Sequence, residues 1–168
     1  MAKILTLLAI AGLASGLAFG PGRSAWSAEH APFELVTAAE AQRESRAASA
    51  EAGKARPPRL RSLKTAAPQI EVLVPSVDGS TVAAPLRIEL AFRPAPGTRV
   101  VPESFRALYG VLKIDLTERL IRHAVISEAG VVVDRALVPD GNHRFLLRVS
   151  DDQGNLGEQE LRVRVGSR

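Results

Sequence analysis

Apolar residues alternate with charged residues and alanine through the stretch Leu86-Arg87-Ile88-Glu89-Leu90-Ala91-Phe92-Arg93. A period of two is typical of a β-strand that has one face buried and the other in water. The same period recurs in three further runs, at residues 70–74, 143–149 and 161–165. Turn-forming residues separate the runs, among them Asp78-Gly79, Pro96-Gly97, Asp140-Gly141 and residues 151–155.

Short strands and turns at this spacing predict an all-β fold for residues 69–168, an antiparallel β-sandwich of about seven strands. One stretch, residues 103–122, has an ambiguous pattern that also fits helix. Because it lies inside a run of strands, we predict a strand over residues 103–109. For residues 115–122 we predict a turn or a single helical turn.

Parts of this region resemble the bacterial immunoglobulin-like (Big-type) domains of exported proteins. Pro75-Ser76-Val77-Asp78-Gly79-Ser80-Thr81-Val82 is similar to their kinked first strand, and residues 138–155 are similar to their last hairpin and the corner before it. The resemblance covers about residues 69–166. It implies an immunoglobulin-like sandwich that acts as a spacer, adhesion or partner-binding module, usually without catalysis. The chain departs from antibody-type domains because it has no cysteine, and its only tryptophan is Trp26.

The first 28 residues have the features of a secretory signal peptide. Lys3 precedes an uncharged run, residues 4–19, which is shorter than a membrane-spanning helix. A helix-breaking Gly20-Pro21-Gly22 follows, and small residues favour cleavage after Ser27 or Ala28. We predict an exported protein, periplasmic or extracellular. The alternative is that the segment stays attached and anchors the chain in a membrane.

Residues 29–68 are expected to form a linker, mostly disordered or partly helical. Thr37-Ala38-Ala39-Glu40 has the pattern of a capping box for a helix over residues 38–52, but the apolar residues of that helix are all alanine. Residues 54–64 carry five cations, no acid and a proline pair, which is typical of an extended, solvated tether. This basic stretch is either a spacer or a weak contact to an anionic surface such as lipid headgroups.

The formal net charge of +4 belongs to the segments before the sandwich. Residues 1–28 and 29–66 each carry +2, whereas residues 67–168 carry thirteen cations and thirteen anions. A nucleic-acid partner requires a basic face with stacking aromatic residues on the domain itself. We therefore expect no nucleic-acid partner, and an unknown envelope protein or polymer instead.

His143 is the residue that most invites a catalytic interpretation. Its parity in the run 143–149 points it into the sandwich, at the corner where related sandwiches use a tyrosine or histidine to bind neighbouring backbone. The other histidines, His30 and His123, are dispersed and do not have a metal-binding spacing. We predict a structural role for His143.

Asp151, Asp152 and Asn155 supply oxygen atoms of the kind that calcium prefers. Their spacing is not that of an EF-hand loop, and aspartate, glycine and asparagine are also the usual residues of a hairpin turn. They remain weak calcium candidates, with Asp78 or Asp140 contributing if the loops converge. Otherwise we expect no metal and no cofactor.

The sequence carries no nucleophile elbow, phosphate-binding glycine loop or dinucleotide-binding motif. Aromatic residues are too few to favour sugar binding by stacking. We predict a non-catalytic envelope module for contact or spacing, which uses an exposed sheet edge or the loop ends around Asp78 and Asp151. The alternatives are a calcium- or glycan-binding module, or a periplasmic enzyme with its site on the loop ends.

Overall fold

The structure is a computed structural model that describes residues 31–52, 66–76 and 80–166. Three of the predicted features lie outside the described residues: the signal peptide at 1–28, the basic stretch at 54–64, and Asp78 with its turn. The described part folds as an all-β sandwich of immunoglobulin-like type, as predicted.

Seven strands of four or more residues build the sandwich, together with three two-residue strands and two helices within the described ranges. In chain order the elements are β1 (Phe33–Glu34), α1 (Ala38–Ala52), β2 (Gln69–Val74), β3 (Thr81–Val82), β4 (Leu86–Arg93), β5 (Val100–Tyr109), β6 (Ile114–Asp115), α2 (Thr117–Ile121), β7 (Ala124–Ser127), β8 (Gly130–Leu137), β9 (Gly141–Asp151) and β10 (Leu156–Val165). The ambiguous stretch 103–122 therefore contains most of a long strand and one short helix, which confirms the prediction for it.

The strand order is the one that defines an immunoglobulin-like sandwich. In the first sheet β2 pairs with β4 and β4 with β8, while β7 and β1 both pair with β8. In the second sheet the order is β3-β10-β9-β5-β6. The first long strand and the short strand that follows it belong to different sheets, as in immunoglobulin-like domains.

The expectation of purely antiparallel pairing is wrong at two short contacts. β3 runs parallel to the end of β10, and β1 runs parallel to the end of β8. The parallel contact of β3 with β10 arises because the chain leaves the first sheet after β2 and joins the edge of the second sheet at β3. The longer pairs of strands are all antiparallel.

Alternation places the apolar residues of both sheets between them. Along β4 the buried positions are every second residue. The same alternation runs through the second half of β10, and through β9 except at Leu146, which is buried although it is of outward parity. Phe92 of the first sheet and Phe105 of the second lie with ring centroids 6.0 Å apart, which joins the two layers. Of the inward residues predicted from the period of two, Val72 and Val74 in β2 are only half-buried. The others are buried: Ile70, Leu86, Ile88, Leu90, Phe92, His143, Phe145, Leu147, Val149, Leu161, Val163 and Val165.

Residues 33–44 differ from the linker expected there. Phe33, Leu35 and Val36 are 8%, 1% and 0% exposed and belong to the core cluster. The backbone N–H of Leu35 donates to the carbonyl of Leu137, which extends the contact made by β1. These apolar residues immediately precede the alanine-rich helix, so it is the segment before the helix that packs into the core.

The predicted capping box at the start of α1 is confirmed. The N–H of Glu40 donates to the Thr37 hydroxyl at 3.1 Å, and the N–H of Thr37 donates to the Glu40 carboxylate at 2.8 Å. The same carboxylate receives two hydrogen bonds from Arg119 in α2, at 2.9 and 3.0 Å. This helix without an apolar stripe is therefore held to the sandwich by polar groups.

Glu44 fixes the next turn of α1. It is 7% exposed, and its carboxylate accepts from the N–H groups of Val111, at 2.6 Å, and Leu112, at 3.3 Å. The neighbouring Gly110 has a φ of +70°, and a Cβ there would overlap the carboxylate. Glycine is therefore favoured at 110 by its backbone conformation, and a larger residue there would displace the Glu44 carboxylate.

We predict that Leu35→Ala lowers the free energy of unfolding by about 2–5 kcal/mol, because it leaves a cavity in the core. Leu73→Ala is the matched control, since Leu73 is 44% exposed and its removal leaves no enclosed space. Urea unfolding of both variants measures the difference. Equal, small losses would mean that residues 33–36 are a linker that does not contribute to the core.

The ion pair between α1 and α2 predicts a specific dependence of stability on pH. Hydrogen bonds from Arg119 lower the pKa of Glu40 from 4.5 to about 2, against the opposing effect of burial. As the pH falls, the unfolded chain therefore takes up a proton on Glu40 at a higher pH than the folded chain does. The resulting stabilisation, about 2–3 kcal/mol, is complete above about pH 4.5 and is lost as the pH falls towards 2.

In urea unfolding, Glu40→Gln should be clearly less stable than the wild type at about pH 7, and the gap should close towards about pH 2. Glu118→Gln is the control, because that side chain is 85% exposed and its ion pair with Arg122 is long, at 3.9 Å. A gap that persists unchanged at low pH would show that Glu40 acts through packing and not through its charge.

Candidate functional site

The first candidate site is the corner at the start of β9, where His143 lies. The side chain points into the sandwich and is 4% exposed. Its Nε2 lies 2.8 Å from the carbonyl oxygen of Pro139, and its Nδ1 lies 2.9 Å from the hydroxyl of Tyr109. Because a carbonyl only accepts, Nε2 carries the proton and Nδ1 accepts from the tyrosine hydroxyl.

Burial keeps both members of this pair neutral. It lowers the pKa of His143, although the hydrogen bond to Pro139 acts in the opposite direction. It also raises the pKa of Tyr109 to about 12, with further contributions from the negative charges of Glu44 and Glu40. A neutral imidazole with both nitrogen atoms engaged and almost no exposed surface has no atom available to a substrate. The geometry fits the structural role predicted for His143.

Tyr109 is the partner that the sequence did not reveal. It lies at the end of β5, and its ring is packed beside Phe145, with centroids 5.3 Å apart. Thirty-four residues separate it from His143, and no spacing rule connects the two. The only available signal was its parity in the predicted strand 103–109, which points Tyr109 inward.

The second candidate site is the hairpin between β9 and β10. Asp151 is 3% exposed, and its Oδ1 accepts from the N–H groups of Gln153, at 3.0 Å, and Asn155, at 2.8 Å. Its Oδ2 accepts from the side-chain amide of Asn155 at 2.9 Å. Burial acts to raise the pKa of Asp151, but these hydrogen bonds outweigh it and hold the pKa below its ordinary value.

Asp152 joins this hairpin to the start of β5. Its carboxylate accepts from the N–H of Arg99 at 3.2 Å, and its own N–H donates to the carbonyl of Arg99. The structure thus brings the three calcium candidates together, but both carboxylate oxygens of Asp151 already accept hydrogen bonds from N–H groups of the turn. In the described ranges no group of three histidine or acidic residues is placed to hold a metal ion.

The loops proposed to converge on this hairpin do not all do so. Asp140 precedes β9, and Asp151 ends it, so the two lie at opposite ends of an eleven-residue strand. Asp140 therefore cannot contribute to a site at Asp151. Of the other histidines, His123 stacks on Phe33 with ring centroids 4.0 Å apart, and His30 lies outside the described residues.

Exposed sheet edges form the third candidate site. β2 ends the order of the first sheet on one side, with Leu73 44% exposed, and β7 lies at the other side, with Val125 72% exposed. An edge strand presents unpaired backbone groups to which an extended segment of a partner can add. Both edges carry an exposed apolar side chain that such a segment would cover.

Neither of the two helices in the described ranges, α1 and α2, is long and apolar enough to cross a membrane. No protein-family model matches the chain, and no curated protein matches it. Among solved structures, it is similar to the fibronectin(III)-like modules of CbhA from Clostridium thermocellum, with 15% identity and a TM-score of 0.39. That match covers 58% of this chain and 46% of the other, so the chain spans less than half the length of that structure.

We predict that His143→Ala lowers the free energy of unfolding by roughly 1–3 kcal/mol, through a cavity and two lost hydrogen bonds. Thermal or urea unfolding measures it. Tyr109→Phe, alone and combined with His143→Ala, completes a double-mutant cycle that isolates the bond between the two side chains. Stability that does not change, together with the loss of a binding or catalytic activity, would make this corner a functional site.

Proposed function

We propose that this chain is an exported, non-catalytic member of the bacterial immunoglobulin-like domains, which contacts or spaces another component of the cell envelope. One observation carries the proposal. The two side chains best suited to catalysis or metal binding, His143 and Asp151, are buried and engaged in internal hydrogen bonds. The sheet edges and outer faces, in contrast, are open to solvent. A rigid scaffold with exposed edges is suited to contact.

The alternatives are less well supported by the described residues. Calcium binding at the hairpin requires the Asp151 carboxylate to give up three nitrogen donors. Glycan binding by stacking requires an exposed aromatic ring, but the aromatic residues of the described ranges are all buried: Phe33, Phe92, Phe105, Tyr109 and Phe145. An enzyme with its site on the loop ends requires an acid or base there that is free of the turn.

The decisive experiment is recovery of the tagged protein from the envelope of a producing bacterium, with and without a calcium chelator. Intact mass should show that residues up to Ser27 or Ala28 have been removed. We expect a defined protein or polymer partner that survives chelation. Leu73→Lys, which places a charge on the β2 edge, should reduce recovery of a partner that adds a strand there, and Val125→Lys is the matched control on the opposite edge.

Three outcomes would contradict the proposal. A mass that retains residues 1–28 in the membrane fraction would indicate an anchor. Loss of every partner on chelation, with calcium restoring thermal stability, would indicate an ion-dependent binder. Turnover of an envelope substrate by the pure protein, abolished by Asp151→Asn or Asp152→Asn, would make the chain an enzyme.

A further inference from the structure

The outer face of the second sheet carries a band of five arginines, which we call the arginine stripe: Arg106, Arg144, Arg148, Arg162 and Arg164. Their neighbours along each strand are buried, so alternation turns the arginines towards solvent. Although residues 67–168 are neutral in total, the fold thus concentrates cations on one surface.

Strand register gives the stripe its shape. Arg164 pairs with Asn142, Arg162 with Arg144, and Arg148 with Arg106. The band therefore crosses the sheet diagonally, from the end of β10 over β9 to β5. At about 3.3 Å per residue, the six-residue distance from Asn142 to Arg148 along β9 makes the stripe about 20 Å long.

Two of these register pairs place arginine directly opposite arginine, Arg144 with Arg162 and Arg106 with Arg148. Like charges at directly opposed positions of a sheet destabilise it. A negatively charged partner would reduce the part of this repulsion that carboxylates of the same sheet do not neutralise.

Internal ion pairs neutralise only part of the stripe. Arg148 binds Glu158 and Arg162 binds Glu160, each at 2.6 Å. Arg106 donates to the carbonyl oxygens of Glu103 and Phe105, which carry no charge.

The remaining two arginines are not neutralised by a carboxylate either. Arg164 donates to the amide oxygen of Asn142 at 3.1 Å. Arg144 has no carboxylate partner among the residues that the structure describes. The nearby Asp115 reduces the excess of positive charge beside Arg106, but its carboxylate already accepts from the N–H of Thr117.

The outer face of the first sheet shows the contrast. Arg87 forms ion pairs with Glu89 and Asp134, and Arg93 forms one with Glu71. Both of these arginines thus face at least one carboxylate. The two sheets therefore differ in charge balance, which a count along the sequence does not reveal.

We infer that the arginine stripe binds a linear acidic polysaccharide. This rests on the proposed function, because it names the surface and the partner of a contact module. A band about 20 Å long suits a polymer with repeated negative charges better than a single anion. Arginine forms paired hydrogen bonds to carboxylate and sulfate-like groups. The described aromatic rings are buried, so recognition is electrostatic and does not involve stacking on bases or sugars.

The test measures binding of the full-length protein to heparin and alginate at low ionic strength, with neutral dextran as the blank. Arg144→Gln/Arg164→Gln removes two charges and leaves both ion pairs of the stripe in place. We expect it to weaken binding by roughly tenfold. Arg87→Gln/Arg93→Gln removes two charges from the first sheet and should leave binding unchanged. Added salt should weaken wild-type binding steeply.

Two further variants keep the test independent of folding and of the tether. Arg144→Lys/Arg164→Lys keeps the charges and should keep most of the binding. Arg59→Gln/Arg61→Gln removes two charges from the basic stretch 54–64 and should have little effect. Heparin should raise the thermal midpoint of the wild type but not that of Arg144→Gln/Arg164→Gln.

The inference is overturned if the stripe and first-sheet variants weaken binding equally, or if only the tether variant weakens it. Duplex DNA bound more tightly than either polysaccharide, with the same dependence on Arg144, would overturn it in favour of a nucleic-acid partner. If no polysaccharide binds while a protein partner is recovered from the envelope, the stripe inference fails and the contact function stands.

Discussion

Packing of the two inner sheet faces against each other is the constraint on which the rest of the molecule depends. Phe92 meets Phe105 between the layers, and Tyr109 meets Phe145 within the second sheet. Burial of such side chains is the main favourable contribution to folding, and it is available only if strand register keeps every second residue inward. The same register therefore determines which polar groups are buried, and which charges become neighbours outside.

The sandwich itself was predictable because its signal is local. Alternation in residues 86–93 or 143–149 is visible within one strand, and it determines the buried face without knowledge of any partner strand. For residues 33–44 the sequence predicts the start of the helix but not its contact with the sandwich. The capping box is a local pattern and was recognised, but the contact of Glu44 with the turn at Val111 joins groups 67 residues apart. No spacing rule predicts a contact of that kind, so a docked segment looked like a linker.

The candidate sites divide in the same way. Parity alone oriented His143 inward, and turn chemistry alone suggested that Asp151 belongs to a hairpin. Tyr109 as the partner of His143 depends on the pairing of β5 with β9, which the sequence does not state. Asp140 and Asp151 both lie in predicted turns, which is the only sequence feature that suggests a shared site. The length of the strand between them, which separates them to opposite ends of the sheet, became evident only from the fold.

The distribution of charge on the surface depends on strand register and cannot be read from the composition. Residues 67–168 have equal numbers of cations and anions, so they are neutral when counted along the chain. In the folded chain, Arg144 and Arg162 come from different strands and meet only because Phe145 and Leu161 pair beneath them. The core therefore fixes the backbone positions from which these two side chains extend. Arg162 is already paired with Glu160, so an anionic partner would neutralise the charge that remains on Arg144. The packing that stabilises the sandwich therefore also holds this outer surface in place for such a partner.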